Sequence, residues 1–511
     1  MTDIIANNKR IAKNTLLLYC RMFFMMLVSL YTSRVVLSTL GVEDYGIYNV
    51  VGGVVSMFGF LNAAMATSTQ RYLTFELGRE DWLCLHKVFC TSIIIHALIS
   101  LLIVFLAETV GLWFFYHKMM IPEARMEAAM WVYQFSVLAT VVMIMSVPYN
   151  AAIIAHEQMS AFAYISVIEV VLKLLIVYLL QIGSIDKLIL YALLILVVQL
   201  GIRMVYGIYC NRHFQETKFR WIWDKVLFRE MVSFAGWNLW GNCAAVASTQ
   251  GVNVLLNIFF GPVVNAARGI AGQVRGTISQ FFTNFQVALN PQITKSYAVH
   301  DYNYMHSLIF RSSKFTFYLI LLLSLPIMLE TGTILQLWLG TVPEYTVDFI
   351  RLLLCVTTVD SVANPLMVAA SATGRVKLYQ GIVGGILLSI LPLSYIVLKL
   401  GGNPASVFVV HLCVCIVAFI VRLYIIRPMI RLSLADYGRH VIVPCLLVTL
   451  ISLIVPCVVK EFLPEGIPSF LIICLISLVS VVLTAYRLGL STSERDFIQS
   501  KCKTVLSKFK S

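Results

Sequence analysis

Charge is what this sequence has least of. Only 12% of its 511 residues are charged and 59% are hydrophobic, whereas a soluble domain carries about 25% charged residues. That balance excludes the chain of soluble domains that the length alone would suggest, and it leaves a polytopic membrane protein. Acidic residues are scarcer than basic ones, 25 against 38, for a formal charge of +13. The excess does not mark a nucleic-acid partner, because most Lys and Arg fall in short loops between apolar runs rather than on a continuous basic surface. The 12 cysteines form no Cys-x-x-Cys pair and no Cys/His cluster at metal spacing, so no metal and no cofactor is expected. Large polar loops are also missing. A membrane glycan polymerase or ligase needs acid, base or activating groups gathered outside the bilayer, so the sequence argues against an enzyme.

What is present is a succession of apolar runs of about twenty residues, each the length of a membrane helix. They number about fourteen and begin near Ile11, Tyr45, Val88, Arg125, Met159, Lys187, Met231, Val263, Ser312, Tyr345, Val376, Pro404, Tyr437 and Ile467. The first follows Lys9, Arg10 and Lys13, is too long for a signal segment, and is expected to stay as the first membrane helix. Alternate loops carry the basic residues, Arg71, Arg79, Lys218, Arg220, Arg375, Lys377, Arg427 and Arg439 among them. By the positive-inside rule both termini are cytoplasmic.

A faint repeat organises the series. Leu40-Gly41-Val42-Glu43-Asp44-Tyr45-Gly46 joins the first two helices, and Phe260-Gly261-Pro262-Val263-Val264-Asn265-Ala266 joins the seventh and eighth. Six helices separate the copies, so the repeat is parallel, with its pseudo-two-fold axis along the membrane normal. The fold class is therefore all-α and polytopic, with two six-helix lobes and two extra C-terminal helices. The boundaries are 1–212 for the N-terminal lobe, 213–229 for an interfacial amphipathic linker helix, 230–430 for the C-terminal lobe, 431–490 for the last two helices, and 491–511 for a basic amphipathic tail. In the tail, Ser491 and Glu494 are spaced as a capping box.

These features resemble the prokaryotic polysaccharide exporters of the multidrug/oligosaccharidyl-lipid/polysaccharide (MOP) superfamily, the O-antigen and capsule repeat-unit flippases. The resemblance rests on Asn14-Thr15 through Arg34, on Leu40 to Tyr48, and on Ser68-Thr69-Gln70-Arg71-Tyr72. It implies alternating access in a bacterial inner membrane and passage of an undecaprenyl-diphosphate-linked oligosaccharide to the outer leaflet. It also implies glycan polymerases and glycosyltransferases as partners beside the membrane lipids. A multidrug exporter of the same superfamily is the competing reading, for which carboxylates and aromatics facing cationic drugs are expected.

The residues that invite a role are polar groups inside apolar helices. Between Gly261 and Pro291, the positions Asn265, Arg268, Gly272, Arg275, Ser279, Gln286 and Asn290 share one helical face. Arginine at mid-membrane costs about 2.5–3.5 kcal/mol even on the lenient scale, so that face looks into protein or a watery cavity. Arg21 and Arg275 reach similar depth, and their guanidinium forks suit a diphosphate; the alternative is pairing with a buried carboxylate, although neither helix carries one near that depth. Together they are expected to act across the lobe interface. Arg268 is either a second ligand or a snorkelling residue. Glu169 and Lys173, four apart, form either a packing pair or a switch that anionic substrate opens. Asn242 and Asn253 lie on a polar stripe of the seventh helix that suits sugar hydroxyls or interhelical hydrogen bonds. Asp360, one turn before Pro365, is the candidate for a coupling ion.

Overall fold

Apolar runs of this length satisfy their backbone polar groups by coiling into helices once water is removed. The computed structural model describes residues 14–28, 31–32, 35–36, 39–41, 44, 47–48, 51–52, 59–118, 121–180, 186–260, 262–339, 342–464, 466–492 and 494–496, and among them it contains no strand. In chain order the long helices are α1 (Asn14–Val28), α2 (Gly59–Arg79), α3 (Trp82–His117), α4 (Glu123–Ala155), α5 (Met159–Leu179), α6 (Lys187–His213) and α7 (Lys225–Phe260). They continue with α8 (Pro262–Ala298), α9 (Tyr302–Leu329), α10 (Thr346–Ala372), α11 (Val376–Lys399), α12 (Ser406–Ile430), α13 (Leu434–Phe462) and α14 (Ile467–Gly489). All but α1, α2 and α8 count among 11 helices long and apolar enough to cross a membrane. A nine-residue helix, Thr331–Leu339, follows α9.

The chain divides into two lobes, Met1–Leu239 with Thr294–His300, and Trp240–Ile293 with Asp301–Ser511. Inside each, the same packing scheme recurs. α4 lies against α3 and α6 in the first lobe, and α10 lies against α9 and α12 in the second, six helices later. The two additional helices, α13 and α14, pack on each other and on α9. The second lobe is cored by Leu256, Ala267, Ala271, Phe349 and Phe408 among others, and the first has a separate cluster around Phe115, Val132 and Tyr133.

Charged groups fasten the helix ends of the first lobe. Arg125, at the start of α4, donates from Nε to Asp44 Oδ1 at 2.8 Å and from Nη1 to Asp186 Oδ2 at 2.5 Å. One guanidinium thus ties Asp44 to the N-cap of α6. Burial alone would raise the Asp186 carboxyl, but the Arg125 hydrogen bond and the backbone N–H groups of Leu188 and Ile189 hold it below the usual range. At the other ends, Lys295 Nζ meets Glu157 Oε1 at 2.7 Å, and Asn14 Nδ2 donates to the Glu157 carbonyl at 3.2 Å. Beside this contact Gly78 of α2 touches the α8 backbone so closely that a Cβ there would lie 2.9 Å from Lys295 Cα. Gly78→Ala is therefore expected to destabilise by about 1–3 kcal/mol through forced separation of the helices, despite the helix propensity of Ala; a raised melting temperature would contradict this close approach.

The linker departs from expectation. A 3-10 turn at Gln215–Thr217 is followed by residues without helix up to Asp224, whose Oδ1 then accepts from the Val226 and Leu227 N–H groups at the start of α7. Three contacts hold this strap against its lobe: His86 Nδ1 with the Glu216 carbonyl at 2.9 Å, His156 Nε2 with Glu216 Oε1 at 2.5 Å, and the Arg220 N–H with Cys90 Sγ at 3.4 Å. Trp221 and Trp223 are exposed on this segment without helix. The tail begins as the spacing predicts, with the Ser491 N–H donating to Glu494 Oε2 at 2.8 Å. The rest of the basic tail, from residue 497, and Arg34 lie outside the described residues.

Candidate functional site

The polar helix α8 has two distinct faces. Val264, Ala267, Ala271, Ile278 and Phe282, at steps of three, four or seven, are buried in the core of the second lobe. Gly269, Gln273, Gly276, Thr277, Gln280 and Thr283 are exposed at the same spacing on the other side. The arginine stripe lies between the two: Arg268, Arg275 and Ser279 are half-buried, and Gln286 is buried. The side chain of Asn265 lies outside the described residues. The residues missed in the sequence are Gln273, Thr277, Gln280 and Thr283, although their regular polar spacing was available beside the more conspicuous arginines. A cavity of about 220 Å³ adjoins this face, with Gln273 and Thr277 on one side and Ile327, Trp338 and Ile350 on the other.

α7 extends the polar face. Asn242 and Gln250 are exposed, Thr249 and Asn253 are half-buried, and Asn253 Nδ2 donates to Gln250 Oε1 at 2.8 Å. Arg268 reaches across from α8 and donates to Asn253 Oδ1 and to the Thr249 carbonyl. It is thus a strut between the two helices, and among the described residues no carboxylate lies within ion-pair distance of it.

Arg275 does have a carboxylate partner. Its Nη2 lies 3.1 Å from Asp360 Oδ2, the acid coming from α10, 85 residues away. The side chains are 27% and 34% exposed, so the pair is open to water or solute at one edge. The sequence named both residues but assigned them separate tasks, and the expectation that Arg275 lacks an acidic partner at its depth is corrected.

In the first lobe, Arg21 Nη1 donates to Ser166 Oγ at 3.3 Å, and its guanidinium lies 4.6 Å from the centre of the Phe162 ring. One turn along α5, Glu169 Oε1 accepts from Lys173 Nζ at 2.6 Å and from Gln199 Nε2 of α6 at 3.2 Å. Glu169 also lies within electrostatic range of Arg21, as does Tyr206. The structure thus gathers Arg21, Glu169 and Lys173 into one polar neighbourhood on α1, α5 and α6. Lys173 pairs with the Glu169 carboxylate there, Arg21 lies within electrostatic range of it, and Ser166 and Gln199 bond to the two ends of the group.

The motifs behind the flippase resemblance hold the fold together. Asp44 binds Arg125, Ser68 Oγ donates to the Met231 carbonyl at 3.1 Å, and the Arg71 guanidinium lies 4.5 Å from the Tyr72 ring centre and 4.7 Å from that of Phe75. None of these contacts selects a glycan.

No protein-family model and no curated protein matches this sequence. Solved structures do match. A MATE transporter in its bent conformation aligns with a TM-score of 0.72 at 13% identity, covering 83% of this chain and 96% of that one. An outward-facing multidrug resistance MATE family transporter of the MOP superfamily aligns with a TM-score of 0.68 at 15% identity and the same coverage. A MOP superfamily transporter from Pyrococcus furiosus, whose binding pocket is described as having reverse polarity suggestive of a different function, aligns at 0.67 and 16%, again with 83% and 96% coverage. These matches overturn the resemblance to O-antigen and capsule repeat-unit flippases. With it go the lipopolysaccharide role, the undecaprenyl-linked oligosaccharide as substrate, and the glycan polymerase and glycosyltransferase partners. At these identities the likeness shows the architecture: this multi-pass membrane chain has the all-α fold of the MATE transporters.

Proposed function

We propose that this chain exports small amphiphilic solutes across a bacterial cytoplasmic membrane by alternating access, with both termini on the cytoplasmic side, and that the α7–α8 face lines the path. The observation that carries this reading is α8 itself. It is 37 residues long yet exposes an uncharged polar stripe rather than an apolar one, which suits a watery passage and not lipid. The fold match to a multidrug resistance MATE transporter supports export. Orientation rests on the basic loops.

The charge of the face favours anionic or zwitterionic solutes over organic cations. Arg275 is answered by Asp360, whereas among the described residues the Arg268 charge is met by the Asn253 amide oxygen and the Thr249 carbonyl. Asn242 and Asn253 supply hydrogen bonds beside it, and the cluster of Arg21, Glu169 and Lys173 is the counterpart we assign to the first lobe. Accumulation of anionic and cationic fluorescent amphiphiles in an efflux-deficient bacterium tests both parts. Expression is expected to lower the anionic probes selectively, and Arg268→Gln to weaken that export about tenfold, the worth of one charge-assisted contact. Export of cationic probes alone would refute the charge preference, and export of neither class would refute the function.

A further inference from the structure

The corner between α12 and α13 carries a feature that the transport path does not use. An open crevice of about 760 Å³ is lined by Tyr424, Arg427, Pro428, Arg431, Ser433 and Leu434, and none of its lining residues is acidic. Among the described residues neither Arg427 nor Arg431 has a carboxylate within ion-pair distance; the Arg431 guanidinium lies 5.4 Å from the Tyr302 ring centre. The crevice sits where the apolar span of α12 ends at Ile430 and that of α13 begins at Leu434, which is the depth of lipid headgroups.

The approach to it is built for acyl chains. Val409, Cys413, Ile416, Ile420 and Tyr424 are exposed at steps of three or four along α12, and the next step is Arg427. An apolar stripe in contact with lipid thus ends on a guanidinium. Arg431 adds a second observation. It is the C-cap of α12 and stands in the left-handed region at φ 55 and ψ 39, a conformation that glycine adopts without strain. An arginine at that backbone position carries a steric cost that glycine would not, and its side chain borders the crevice.

We propose that this crevice binds the phosphate of an anionic glycerophospholipid, with Arg427 and Arg431 as its ligands and the Ser433 hydroxyl beside them, while the acyl chains lie along the exposed stripe of α12. Guanidinium forks match phosphate oxygens bidentately, and the absence of lining carboxylates leaves the charge uncompensated until a lipid arrives.

Thermal unfolding of the purified full chain in phosphatidylcholine nanodiscs, with and without added phosphatidylglycerol, tests the site. The wild type is expected to gain several degrees from phosphatidylglycerol, as a ligand that binds only the folded state must confer. Arg427→Ala combined with Arg431→Gly is expected to lose that gain, and Arg431→Gly alone to melt no lower than wild type in phosphatidylcholine because the backbone strain is relieved. Arg375→Ala, a basic residue at another loop, should keep the gain. Three results would overturn the proposal: the gain survives in the double variant, Arg375→Ala removes it equally, or millimolar inorganic phosphate reproduces it with lipid adding nothing.

Discussion

Asp360→Asn is expected to lower the thermal stability of the chain and to abolish gradient-driven efflux, while Arg275→Gln in the same background restores stability but not efflux. The pair joins α8 to α10 inside the apolar part of the second lobe. Removing either charge alone leaves the other in a low-dielectric site without its partner, which costs far more than removing both. A double-mutant cycle should return a coupling of about 1–3 kcal/mol, toward the lower part of that range because both groups retain some solvent contact. The efflux arm separates two roles. As a packing device, the pair would be replaceable by any two neutral groups, and the double variant would regain export along with stability. As a charge switch, with Asp360 exchanging Arg275 for a transported proton or cation, it would leave the double variant folded and able to equilibrate substrate but unable to accumulate it against a gradient. Recovery of uphill export in the double variant would remove Asp360 from the coupling mechanism, and purely additive stability losses would remove the ion pair from the energetics.

The same pair shows where sequence reasoning reaches its limit. Arg275 and Asp360 both stood out because a charge inside a membrane run is expensive on its own terms, and that is a local property. Their pairing is a product of how α8 and α10 pack, which periodicity does not encode. Arg268 was read as ligand or snorkelling residue, and its contacts with Asn253 and Thr249 of α7 are likewise a product of helix packing. Helix number and the recurrence of one packing scheme after six helices were legible, because hydrophobic length and the spacing of similar loops carry them directly. The strap at 218–224 was not. Its aromatic and basic residues alternate in a way compatible with helix or extended chain, and the chain is held there by contacts of Glu216 and Arg220 with His86, Cys90 and His156, sixty or more positions upstream. The flippase resemblance failed for a related reason. Asp44 and Ser68 fasten helices in this chain, and fastening is a property of a fold rather than of a cargo.

Glu494→Ala is expected to release the segment that follows α14, with a cost of about 3–5 kcal/mol in its docking, the range for breaking a buried ion pair from one side. Glu494 Oε2 meets Lys314 Nζ of α9 at 2.9 Å, and only 6% and 8% of the two side chains remain exposed. Arg311 approaches Oε1 at 3.6 Å, and without the carboxylate the Lys314 ammonium keeps, among the described residues, the Gly489 carbonyl at 3.4 Å. Burial would raise the Glu494 carboxyl, but the Ser491 N–H and the Lys314 ammonium together hold it below the ordinary range. A carboxyl depressed in the folded state contributes its full stabilisation above the unfolded-chain value of about 4.3, and loses it as pH falls through the lower folded value. Hydrogen exchange of residues 490–496 is therefore expected to stay slow from about pH 8 to about pH 5 and to accelerate only below about pH 4, after correction for the intrinsic rate. In Glu494→Gln it should be fast throughout, because the amide removes the charge that Lys314 requires. Acceleration of the wild type near neutral pH would mean that another group governs the docking, and slow exchange in the glutamine variant would mean that the ion pair does not hold the segment.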